Sequence, residues 1–155
     1  MYLLRLIGYK NDVRWIEKKV WLFLAELERW KYNCIYKHDI AKNVIISHRA
    51  CLDKGVPGIH IGEGTWVLAR VSVLNHDVCR NLYTETYIGK HCVIGVGSMI
   101  LPGIHIGNQV VVGGGSIVTK DVPDHCMVAG NPARIIKYGV EVRNGRIINF
   151  GYKAK

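Results

Sequence analysis

Between Ile88 and Val118 the apolar positions of this chain recur every six residues, at Ile88, Ile94, Ile100, Ile106, Val112 and Val118. Glycine follows the aliphatic residue at Gly89, Gly95, Gly107 and Gly113, and a small or apolar residue stands four places on, at Cys92, Ser98, Ile104, Val110 and Ser116. A period of six fits neither an α-helix nor a two-sided strand. It predicts a parallel β-helix, an all-β solenoid of short strands joined by tight turns.

The same spacing begins earlier and less regularly, at Ile40, Ile46 and Leu52 and then at Ile61, Val67 and Val73. The step from Leu52 to Ile61 is nine and that from Val73 to Ile88 is fifteen. Each is read as an insertion of about three residues, leaving about five coils and, at about 4.8 Å per stacked strand, a body roughly 24 Å long. Insertions in a solenoid emerge as loops on one side, where binding residues collect.

Flanking segments follow other periods. Residues 11–31 read as a helix, capped by Asn11 or Asp12, with Val13, Ile16, Val20, Phe23 or Leu24, Leu27 and Trp30 on one stripe and Trp15, Trp21 and Leu22 widening it. At the other end, Val140 to Phe150 alternate around Asn144-Gly145, which predicts a hairpin with a type I′ turn that caps the open coil. The expected division is a helical segment over 1–38, a solenoid over 39–133, and a cap and hairpin over 134–155.

Charge sharpens this division. The net +9 splits into +4 for residues 1–38, zero for 39–133 and +5 for 134–155. A neutral body with basic ends does not make the continuous basic, aromatic-interleaved face of a nucleic-acid binder, and none is expected. It suits a phosphorylated ligand or an anionic membrane surface. The helix therefore has two readings, packing on the solenoid or a neighbouring subunit, or peripheral membrane contact through residues 11–31. Five cysteines without a CxxC pair point to reduced thiols and a cytoplasmic setting, including the inner membrane face. The apolar start is broken by Arg5 and Lys10, and no run of about 18 apolar residues follows.

The candidate chemistry lies where the repeat is interrupted. His76 stands in the fifteen-residue step, three places after Val73. Moving an acyl group from a thioester to a hydroxyl needs a base for the hydroxyl proton, a role that suits imidazole. Asn75 or Asp77 can orient that ring or bind acceptor hydroxyls, and Arg80 and Tyr83 can contact the acceptor. The seven histidines contain no closely spaced pair, so no metal site is expected. Gly95, Gly97, Gly113, Gly114 and Gly115 strip one wall of side chains, leaving backbone groups for a pantetheine arm and an oxyanion. Lys120 and Arg134 supply cations for phosphates.

The run from Ile94 to Lys137, IGVGSMILPGIHIGNQVVVGGGSIVTKDVPDHCMVAGNPARIIK, resembles the C-terminal half of the hexapeptide-repeat acyltransferases, most closely the sugar O-acetyltransferases and their polysaccharide-modifying relatives. The resemblance implies a left-handed β-helix, an exception to the usual right-handed crossover. It also implies a homotrimer with acetyl-CoA between subunits, and direct attack by a sugar hydroxyl within a ternary complex. His76 matches the family's catalytic histidine; Val96, Gly114, Thr119, Lys120, Arg134 and Lys137 match positions that contact coenzyme A. The acidic acceptor-binding segment of the maltose and galactoside enzymes is not recognisable in residues 1–38. Transfer to serine or to an amino-sugar nitrogen is the alternative within the class, and a non-catalytic assembly solenoid the alternative outside it.

Overall fold

In the computed structural model, which describes residues 12–56 and 58–154, the hexads wind into a three-sided solenoid. The first coil holds β1 (Asp39–Ile40), β2 (Ile45–Ile46) and β3 (Cys51–Leu52); the second, β4 (Ile59–Ile61), β5 (Trp66–Val67) and β6 (Ser72–Val73). A small hairpin, β7 (His76–Asp77) and β8 (Leu82–Tyr83), interrupts the path. The third coil follows with β9 (Thr86–Ile88), β10 (Val93–Ile94) and β11 (Met99–Ile100), and the fourth with β12 (His105–Ile106), β13 (Val111–Val112) and β14 (Ile117–Val118). A partial fifth coil carries β15 (Cys126–Gly130) before the antiparallel pair β16 (Ala133–Arg143) and β17 (Arg146–Lys153).

Each face is one parallel sheet. The first is β1-β4-β9-β12, the third β14-β11-β6-β3, and the second runs β2-β5-β10-β13-β15 before β16 and β17. All twelve residues that set the six-residue period are buried, as are Cys92, Ser98, Ile104, Val110 and Ser116. The interior is thus filled by two inward sets, the aliphatic residue of each strand and the residue two places before it, each aliphatic burial worth about 1.5–3 kcal/mol. At most corners the chain turns three residues after an inward one, in left-handed conformation at Asn43, Gly64, Arg70, His91, Gly97, Gly103, Gln109, Gly115 and His125. The adjoining glycines have a second cause, because a Cβ at Gly89 would stand 2.6 Å from the Gly107 carbonyl carbon one coil above.

Register corrects the insertion sizes. Ile40 pairs with Ile61, 21 residues on, so the first insertion is three residues. Ile61 pairs with Ile88, 27 residues on, so the second is nine, not three. These nine residues pair antiparallel with one another as β7–β8 instead of joining a face.

The helix α1 (Asp12–Ile35) extends four residues beyond its expected end, while Asn11 lies outside the described residues. The extension docks it. Tyr32 is buried in the solenoid core, and the Asn33 amide exchanges two 2.9 Å hydrogen bonds with the backbone of Ile40, as a further strand would. The expected packing of the stripe on its own solenoid is not found, since Ile16, Val20, Phe23, Leu24, Leu27 and Trp30 are all at least half exposed.

Asn144 and Gly145 both have positive φ, 47° and 71°, as the type I′ turn requires. The start of β16 covers the free edge of β15. The hairpin then folds back along the outside of the second face, where Val140 and Val142 bury Val111, and the Val142 N–H donates to Gln109 Oε1 at 3.1 Å. Its tip reaches Trp66, three coils below the fifth, and a Cβ on Gly145 would collide with that indole.

Candidate active site

Where the third face turns into the first, four successive connections stack along one edge: 53–58, 74–85, 101–104 and 119–121. Both insertions and Lys120 therefore share this edge. The nine-residue insertion presents His76, whose ring stacks on Tyr83 with centroids 4.1 Å apart and planes 19° from parallel. The hairpin register, His76 opposite Tyr83, produces that stack. Asp77 accepts from the Arg80 guanidinium at 2.6 Å and from the Arg80 N–H at 3.2 Å, closing the hairpin turn. That guanidinium holds the Asp77 carboxyl below the ordinary carboxylate value.

Two buried polar residues anchor the insertion. Asn75 points inward, where its amide donates to the Gly55 carbonyl at 3.1 Å and ties one insertion to the other. Thr86, which nothing in the sequence reading singled out, donates to the Leu74 carbonyl at 2.6 Å and accepts from the Gly103 N–H at 3.2 Å. Its register partner is Ile59. A hydroxyl in an otherwise aliphatic inward column was the available signal, since a buried hydroxyl must find partners.

The residues matched to coenzyme A fall in three places. Val96 and Gly114 lie on a different edge, between the second and third faces, where Gly115 N–H donates to the Val96 carbonyl at 2.8 Å. A Cβ at Gly97 or Gly115 would meet nothing within 4 Å, so this edge is bare and open. Lys120 and Arg134 line one cavity of about 370 Å³ at the end of the solenoid, with Val118, Asp121, Val128 and Ile135. Thr119, half-buried, precedes Lys120 on the first of these edges. Lys137 stands apart, its ammonium 5.3 Å from the Phe150 ring centroid. Within one chain the histidine edge and the glycine edge are separated by the width of the third face.

This geometry, a solenoid of hexads broken by a histidine-bearing hairpin, defines a class, and the chain belongs to the hexapeptide-repeat acyltransferase superfamily. Residues 86–120 match the family described as hexapeptide repeat of succinyl-transferase. The chain is 33% identical over 113 residues to YvoF of Bacillus subtilis (strain 168), which carries a provisional acetyltransferase name; the match spans 71% of this chain and 66% of YvoF. It is 27% identical to a maltose O-acetyltransferase from Clostridium difficile 630, with a TM-score of 0.53 over 64% of this chain and 68% of that one. The hexapeptide-repeat acetyltransferase VCA0836 from Vibrio cholerae has the same fold, with a TM-score of 0.58 over 83% of this chain and 92% of that one at 20% identity. The solenoid is accordingly a left-handed parallel β-helix.

Proposed function

We propose that the protein is an acetyl-CoA-dependent O-acetyltransferase acting on a hydroxyl of a sugar or polysaccharide precursor. The observation that carries this reading is His76, held at the rim of the one long interruption and braced by the Tyr83 ring. In the reaction, the acceptor hydroxyl gives its proton to the His76 imidazole while its oxygen attacks the thioester carbon. The C–S bond breaks and the coenzyme A thiolate leaves with the proton. Such general-base help is worth roughly 10²–10⁴-fold. Tyr83 and the Asp77–Arg80 pair border the acceptor, and Asn75 and Thr86 hold the hairpin from behind. The likeness to a maltose O-acetyltransferase supports the sugar acceptor.

The donor fits the bare edge. Glycine turns leave backbone amides open to a pantetheine arm and to the oxyanion. Lys120 and Arg134 converge on one cavity and suit its phosphates. Because the histidine edge and the glycine edge do not meet within one chain, the reading places each site between two copies of a homotrimer. Parallel copies put the 74–85 hairpin of one chain at the height of the 95–98 turn of the next.

Titration of the full chain with coenzyme A tests the donor half. Binding is expected, weakened about tenfold by Lys120→Ala or Arg134→Ala, since each removes a charge-assisted contact. Failure of the unsubstituted chain to bind coenzyme A would overturn the reading. Sedimentation analysis is expected to give three chains per particle.

A further inference from the structure

The edge between the second and third faces changes character along its length. Its third turn position is Arg49 in the first coil, Arg70 in the second, Gly97 in the third and Gly115 in the fourth. These positions are stacked, because Ile46, Val67, Ile94 and Val112, each three residues earlier, are register partners from coil to coil, and the Arg70 N–H donates to the Arg49 carbonyl at 2.9 Å. The bare stretch is therefore preceded by two arginines and runs toward the end of the solenoid where Lys120 and Arg134 line their cavity. Both arginines are exposed, and among the described residues neither guanidinium makes an ion pair. Strands about 4.8 Å apart put the two residues on adjacent coils, close enough at the backbone for both guanidinium groups to reach one anion.

Backbone conformation adds a second observation. Arg70 has φ 59°, matching Gly97 at 69° and Gly115 at 68°. Glycine takes this conformation at no steric cost, whereas an L side chain is strained in it. On this edge the strained position nonetheless carries arginine. Among the described residues of this edge Arg70 alone takes the conformation without being glycine, which fixes where its side chain leaves the turn.

We propose that the acceptor is anionic, a sugar bearing carboxylate or phosphate, and that Arg49 and Arg70 receive its charge. The inference rests on the transferase reading above. With the donor phosphates at the Lys120–Arg134 end and the thioester on the glycine turns, the acceptor occupies what remains of the edge. The second coil, which carries Arg70, also leads into the His76 hairpin, so arginine and base stand at one height in neighbouring copies. Planar guanidinium suits either anion through paired N–H donors.

The test is calorimetric titration of the full chain at low salt with trigalacturonate, glucose 1-phosphate and neutral maltotriose, each compared with coenzyme A. Arg70→Gly is the informative variant because its φ suits glycine and the turn is kept; Arg49→Gln is the companion. The unsubstituted chain is expected to bind one of the two anionic probes more tightly than maltotriose. Each substitution should weaken that probe about tenfold and leave coenzyme A binding unchanged. Preference for trigalacturonate identifies a carboxylate acceptor, and preference for glucose 1-phosphate a phosphorylated one. The proposal is overturned if neither anion binds, if the variants bind it as well as the parent, or if Arg70→Gly weakens coenzyme A instead. A chain that fails to bind coenzyme A yet holds the probe through the arginines would uphold the anion site and refute the transferase reading, so the two failures are separate.

Discussion

His76 and Tyr83 form a pair whose two members can be separated by substitution. Tyr83→Phe keeps the ring that braces the imidazole and should leave turnover close to that of the parent. Tyr83→Ala removes it and should lower kcat by roughly 10–100-fold, the cost of a misplaced catalytic group, while KM for acetyl-CoA stays the same; steady-state kinetics on the three proteins decide this. A second residue makes stability depend on pH. His38 is buried, with Nε2 2.8 Å from the Asp53 carbonyl and Nδ1 facing the Ile59 N–H at 3.4 Å, the pattern of a neutral ring protonated on Nε2. Burial pushes its pKa below the ordinary value, against a smaller opposing effect of the Asp53 carbonyl. In the window between the lowered folded pKa and the ordinary unfolded one near 6.5, the unfolded chain binds more protons. Stability therefore rises with pH through that window and is lost as pH falls through it. Thermal melts should show Tm dropping below about pH 6.5, with a smaller drop in His38→Gln; equal drops would refute the assignment. His76 was legible in the sequence because it stands where the period fails. Its stack on Tyr83 was not, because that contact depends on an antiparallel register inside the insertion, which the six-residue period says nothing about.

The repeat itself was legible almost residue by residue, because each face of a three-sided coil turns one aliphatic side chain inward every six positions. The glycines after those positions carry a sharp expectation. Gly89→Ala would press a Cβ into the backbone of the coil above, which should cost about 1–3 kcal/mol or more as overpacking does. Gly97→Ala has open space around its Cβ and should cost only the strain of its positive φ, about 1 kcal/mol. Denaturant midpoints for the two variants test the order. The nine-residue insertion was underestimated because its length came from counting hexads, and the Ile61–Ile88 and Val73–Ile100 pairings show that no hexad lies within it. The fold-back of β16 and β17 was equally hidden. Alternation announces a hairpin but not the surface that receives it, and here outward-facing Val111 and Trp66 on the second face do so. The extra turn of α1 was lost to the stripe count, since Tyr32 and Asn33 dock through a core contact and a backbone mimic.

The whole molecule divides into a tightly packed solenoid and open ends. All five cysteines are free thiols, with Cys34, Cys51 and Cys79 exposed and Cys92 and Cys126 in the core. Burial pushes the Cys92 thiol up to about 11, and its Sγ–H donates to the Gly107 carbonyl at 3.1 Å. Mass spectrometry after alkylation of the native protein should find the first three modified and the last two protected until the solenoid unfolds; early modification of Cys92 would contradict a closed core. The two edges that carry the histidine and the bare glycines face different directions on one chain, so the transferase proposed above requires an assembly in which a hairpin from one copy meets the glycine turns of another. The transferase account stands or falls on acceptor-dependent release of free coenzyme A thiol from acetyl-CoA, followed in the parent protein and in His76→Ala with sugar acceptors. Release by the parent is expected, with a fall of roughly 10²–10⁴-fold in His76→Ala and coenzyme A still bound by the variant. Equal thiol release from the two proteins would contradict it.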